Sequence, residues 1–211
     1  MGASTRGKRL PLPTQTRTTS LVGKDEAMDM FRSHLVMLFP LIAAVVMTVS
    51  SAWALDPGKD GYYHTGDGVR MKKVAFINVK VYAISHAMKC LPGNKSKQAV
   101  IDADCDKRIA FKMLRDVDAE KLQNALREGY AMNGYGDAGK ISSFVNAMSK
   151  ELKEGSWVTI SYNAGSKTTS ISVQGAGNAS VAGEDFMKAT WSLWFGKIDQ
   201  PALGDAMISK L

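Results

Sequence analysis

Histidine and cysteine are scarce in this 211-residue chain, with three of one and two of the other. That scarcity closes off most catalytic and metal chemistry. Between them, Cys90, Cys105, His64 and His86 offer no recognised ligand spacing, so no metal site is expected. The chain also lacks G-x-S-x-G, a paired Cys/His nucleophile, a phosphate-binding P-loop and H-E-x-x-H. The G-x-G at Gly175–Gly177 has neither a following helix N-terminus nor an acidic partner and reads as a plain turn, so no cofactor is called for. Acids and bases are close to balanced once residues 1–54 are set aside, with 21 Lys/Arg against 17 Asp/Glu and a net charge of +4. Lys72, Lys73, Lys95, Lys97, Lys107 and Arg108 read as a solvated face interleaved with acids, which gives no groove for nucleic acid.

Only one long apolar run is present, Leu35–Ser50, followed by Ala52-Trp53-Ala54. Sixteen residues containing Pro40 and leading into an A-x-A pattern are short for a membrane span and match a signal-peptide core. The expectation is therefore cleavage after Ala54 and a periplasmic or secreted product with no membrane span. Residues 1–34 would be a long n-region or a misassigned start, 35–54 the signal core and cleavage site, and 55–211 a single domain. Cys90 and Cys105 bracket a polar segment, and in an exported protein such a pair reads as a disulfide; two free thiols are the alternative if export fails.

Along the mature stretch the patterning predicts strands first. Gly66–Met88 is rich in β-branched and aromatic residues and reads as two strands. Arg70 and Tyr82 share a parity within it, but twelve extended residues would hold them about 40 Å apart. They can share a site only if the chain turns between Lys73 and Asn78. A strand over Lys107–Leu114 follows, then a helix capped by Asp118 and reaching about Tyr130. A second helix carries Ile141, Phe144, Val145, Met148 and Leu152 on one face, ending at Gly155. Ser156–Asn163 and Thr168–Gln174 form a hairpin, and GAGNASVAG is a loop with at most a short edge strand. Glu184–Phe195 is an apolar, buried helix with acids in its first turn, and a last helix runs from Pro201 to Leu211. This order argues α+β with a mostly antiparallel sheet.

Five stretches in sequence, GVR at Gly68–Arg70, KVYAI at Lys80–Ile84, MLRDV at Met113–Val117, YGDA at Tyr135–Ala138 and the late WFG ahead of Pro201, together resemble the chalcone isomerase-like superfamily, and among its branches the exported bacterial proteins. The resemblance implies an open-faced β-sandwich, a large antiparallel sheet with helices packed on it. In the plant enzymes of that superfamily an arginine and a hydroxyl-held water stabilise an enolate during an intramolecular cyclisation. Carried over by position, Arg70 matches the arginine and Asn124 the asparagine of that site. Tyr82 replaces a threonine, Val117 the catalytic tyrosine, and Leu193 a late hydroxyl residue.

The Arg70–Tyr82 pairing is similar to that of the fatty-acid-binding relatives, in which the two side chains hold a ligand carboxylate. The resemblance thus implies Arg70, Tyr82 and Asn124 as ligand-binding residues, with Arg70 and Asn124 catalytic only if the protein is an enzyme. Read without the resemblance, Arg70 is a sheet-edge arginine paired with an acid such as Asp67, and Asn124 is a solvated residue opposite its helix's apolar stripe. Three functions remain open: a non-catalytic binder of a fatty acid or similar amphipathic carboxylate, an intramolecular lyase of chalcone isomerase type, and a protein-interaction module.

Overall fold

The computed structural model describes residues 55–211, and all of them fall within one compact unit. The expected signal peptide lies outside the described residues. A long hairpin starts the fold: β1, Tyr63–Val74, and β2, Ile77–Met88, pair antiparallel around a two-residue turn at Ala75-Phe76. Then come α1 (Lys97–Asp102), β3 (Lys107–Met113), α2 (Ala119–Met132), α3 (Ala138–Val145), β4 (Trp157–Asn163), β5 (Thr168–Val173), β6 (Gly177–Ala182), α4 (Glu184–Phe195) and α5 (Pro201–Met207). The six strands form one antiparallel sheet in chain order, with β1 and β6 at its edges. This is the α+β, open-faced β-sandwich of chalcone isomerase type that the motif order implied.

Period-two alternation decides which face is covered. Ile84, Phe111, Val158, Ile160, Ile171 and Val173 turn toward the helices and are buried. The other face presents small and polar residues in register, Ser85, Ala110, Thr159, Ser172 and Asn178 along one row. An open groove of about 530 Å³ lies on that face between Val69, Ser85, Lys112 and Trp157. Against the covered face sits α4, whose Phe186, Met187, Trp191 and Trp194 are all buried, because only a narrow stripe of Glu184, Lys188 and Ser192 is left for solvent.

Three elements differ from the expectations. Between the two cysteines lies a helix, α1, where only a polar segment was read; Ser96 caps it by accepting from the Ala99 N–H, and Val100 and Ile101 are its buried anchors. The helix predicted to reach Gly155 stops at Val145. Met148 and Leu152 are buried all the same, but on irregular chain, and Leu152 forms an antiparallel bridge with Val117. Apolar spacing reported burial there and not backbone. The last helix, expected to run to Leu211, ends at Met207. The Gly/Ala/Ser segment does carry the short edge strand allowed for it: β6 is paired residue for residue with β5 and linked to it by a 2.8 Å Ser170–Ser180 hydroxyl contact. Cys90 and Cys105 form a disulfide.

A buried polar chain ties the start of the hairpin to the helices. Trp191 Nε1–H donates to His86 Nε2 (3.0 Å), so the neutral ring carries its proton on Nδ1, which meets Thr65 Oγ1 at 2.6 Å. Thr65 in turn donates to the Met207 carbonyl at 2.8 Å. Burial first, then the electrostatic influence of Lys107, hold His86 down to about 3. Lys107 is also buried; its ammonium donates to the Val100 and Ile101 carbonyls at the end of α1 (2.7 and 3.0 Å) and lies 4.9 Å from the Trp191 ring. Burial pushes it down to about 7.

Candidate functional site

Arg70 and Tyr82 are direct cross-strand partners in the β1–β2 hairpin, facing the helices. A bulge produces that match. Near the turn the register is Val74 opposite Ile77, Lys73 opposite Asn78 and Met71 opposite Lys80, which would put Arg70 opposite Val81. Val81 is instead passed over as the extra residue, and a one-residue shift brings Tyr82 level with Arg70. Cross-strand partners lie about 5 Å apart at Cβ, close enough for the two side chains to act on one ligand group.

The guanidinium is mostly covered, with 16% of the side chain exposed, and its Nη2 forms a 2.6 Å ion pair with Asp199, which is 54% exposed. Asp67, the acid expected for it, instead contacts His64 and Lys210. Gln200 fixes the strand beside the arginine: its Nε2 donates to the Val69 carbonyl (3.0 Å) and its Oε1 accepts from the Met71 N–H (2.8 Å). The side-chain amide thus takes the place of a neighbouring strand at this sheet edge. Asp199 and Gln200 belong to the α4–α5 connection, some 130 positions from Arg70, and no motif in the chain announces them.

Tyr82 is buried against Phe111, ring centroids 4.6 Å apart. Its oxygen accepts from the Trp194 indole N–H at 3.1 Å, while its own hydroxyl hydrogen has no acceptor among the described residues. Burial pushes the phenol up, so it stays protonated and remains a donor. One aromatic donor is thus already met and one O–H is left over, next to a guanidinium held by an exposed carboxylate.

The other carried-over positions lie elsewhere. Asn124 is exposed on α2, where its Oδ1 accepts from Arg127 at 3.2 Å, in agreement with its place opposite the Leu122–Leu126–Tyr130 stripe. Val117 is half-buried in the bridge to Leu152, and Leu193 is buried on α4. The buried hydroxyl pair of this helix layer is one the motifs did not indicate: Tyr130 on α2 meets Thr190 on α4 at 2.9 Å. Among the described residues no group of three or more His, Cys, Asp or Glu could hold a metal ion, and no helix is long and apolar enough to cross a membrane.

The six-stranded antiparallel sheet with helices packed on one face is a chalcone isomerase-type fold. The chain belongs to the chalcone isomerase-like family, whose profile matches residues 43–207. No curated protein matches it. Among solved structures it is similar to the crystal structure of a fatty-acid binding protein of Arabidopsis thaliana, with a TM-score of 0.58 at 18% identity over 72% of this chain and 87% of that one. At that identity the likeness establishes the shared fold.

Proposed function

We propose that this protein is a non-catalytic binder of a fatty acid or similar amphipathic carboxylate, gripped at its head by Arg70 and Tyr82. The observation that carries the reading is the unused Tyr82 hydroxyl hydrogen beside a guanidinium whose present partner, Asp199, is solvent-exposed. A ligand carboxylate would displace Asp199, take a charge-assisted contact from Arg70 and accept the Tyr82 O–H. Phe111 and Trp194, packed on Tyr82, give this grip its apolar wall. The relative whose fold is shared is itself described as a fatty-acid binding protein, which supports the same reading. Asn124, pointing to solvent with Arg127, takes no part in this grip.

Intramolecular lyase chemistry finds less support. It would need hydroxyls to position a water and an enolate, and apolar Val117 and Leu193 stand at two of the positions that would supply them. We place the binder outside the cytoplasm, since the Leu35–Ser50 run with Ala52-Trp53-Ala54 reads as a cleaved signal and a disulfide is compatible with export.

Native mass spectrometry with lipid extraction on residues 55–211, parent and Arg70→Ala, tests the assignment. A carboxylate bound to the parent and lost in the variant is the expected result. An empty parent that takes up no added fatty acid would overturn it.

A further inference from the structure

The far end of the β1–β2 hairpin has no part in the carboxylate site. β2 pairs with β3 only from Tyr82 onward, and the Gln200 brace on β1 ends at Met71. From Met71 to Lys80 the hairpin is therefore a bare two-stranded ribbon. Four cross-strand pairs carry its turn about 13 Å beyond the Arg70–Tyr82 pair, at about 3.3 Å per residue.

The tip of this ribbon is apolar and fully presented to solvent: Val74 is 56% exposed, Phe76 98% and Ile77 69%. Ala75, the first turn residue, has a φ of 52°, a left-handed value that hairpin turns of this kind normally give to glycine. Behind the apolar tip stand three exposed lysines, Lys72, Lys73 and Lys80, none of them in an ion pair with a described residue. The interleaving with acids that their composition suggested fails here, since no Asp or Glu occurs between Asp67 and Asp102. An isolated two-stranded ribbon is of marginal stability in water, and a solvated turn gains nothing from valine, phenylalanine and isoleucine.

We propose that this hairpin tip docks on an anionic lipid surface, with Val74, Phe76 and Ile77 inserted among the headgroups and upper acyl chains and Lys72, Lys73 and Lys80 against the lipid phosphates. Dimensions and charge both fit. The lysines lie one to three residues behind the apolar tip on each strand, about 3–10 Å, which matches the 5–10 Å depth reached by interfacial apolar segments. Each lysine near an anionic bilayer adds attraction that salt screens. The tip projects clear of the core, so docking is open to the folded protein and does not depend on whether the Arg70–Tyr82 site binds a carboxylate.

Residues 55–211, whose core cluster and disulfide come entirely from this stretch, are the material for the test. Binding is measured by co-sedimentation with vesicles of phosphatidylcholine alone and of phosphatidylcholine with 30% phosphatidylglycerol, in about 0.1 M and 0.5 M salt. The expected result is binding to the anionic vesicles that weakens in high salt. It should fall about tenfold or more in Phe76→Ser/Ile77→Ser and likewise in Lys72→Glu/Lys73→Glu. Both variants alter only exposed ribbon residues, and unchanged thermal unfolding confirms that they are folded. No binding to anionic vesicles at low salt would overturn the proposal, as would binding that survives both folded variants. A tip that serves a protein partner would give the first of these outcomes.

Discussion

Protonating His86 should unfold this protein from within, and the size of the effect follows from the Thr65–His86–Trp191 chain. Nε2 accepts the indole hydrogen and has no room for a proton of its own unless that contact breaks. Its folded value of about 3 against an unfolded 6.5 means that the unfolded chain binds the extra proton between those limits. The contribution is therefore complete above pH 6.5, is lost as the pH falls toward 3, and is gone below that. At about 1.4 kcal/mol per pH unit, the loss between pH 7.5 and pH 4.5 is roughly 3 kcal/mol. Lys107, held down to about 7, makes stability rise through pH 7 toward 10.5; it adds about 1 kcal/mol at most to the loss between pH 7.5 and 6.0 and leaves the interval from 6.0 to 4.5 to His86. Asp60, Asp104, Asp106, Asp116 and Asp185, all held below the usual carboxylate range, act below about pH 4. Urea unfolding at pH 7.5, 6.0 and 4.5 reads the loss from the midpoint at constant slope, while the His86 ring signals in NMR follow the proton itself. A stability change under 1 kcal/mol over this window, or a His86 ring that titrates near 6.5 in the folded protein, would refute the reasoning.

Other substitutions test neighbouring parts of the account. Tyr82→Phe keeps the ring against Phe111 but leaves the buried Trp194 N–H without its acceptor; a loss of about 1–3 kcal/mol in urea unfolding is expected, together with weaker carboxylate binding. Reducing Cys90–Cys105, which closes a 15-residue separation, should destabilise the protein by about 3 kcal/mol, seen as a lower urea midpoint with a non-thiol reductant. Gly66→Ala would set a Cβ 2.3 Å from the Ala206 carbonyl oxygen, a backbone atom that cannot swing aside, so α5 must shift at a cost of about 2–3 kcal/mol, measured by thermal unfolding.

Much of the fold could be read from the chain because local signals agreed with the final packing. Acids in the first turn and Gly196 after the last bound α4 at Glu184 and Phe195, and the alternation of Ile109, Phe111 and Met113 marked β3. The site was legible only in outline. Parity placed Arg70 and Tyr82 on one face, yet the two-residue turn alone would have set Arg70 against Val81, and the bulge that restores the match has no signature in VKVYA. Asp199 and Gln200 reach the arginine through the tertiary fold, which no local pattern can announce. For the same reason apolar spacing ran the second helix past Val145: Met148 and Leu152 are as buried as that spacing implied, but on chain that has left the helix.

The most direct test of the carboxylate grip is a calorimetric titration of residues 55–211 with a series of saturated fatty acids and with their methyl esters, for the parent and Arg70→Ala. The ester keeps the tail and removes the charge that Arg70 would meet. The account predicts that the parent binds an acid about tenfold or more tightly than its ester and that Arg70→Ala erases the difference. Equal affinity for acid and ester in the parent, or an acid preference that persists in Arg70→Ala, would contradict it.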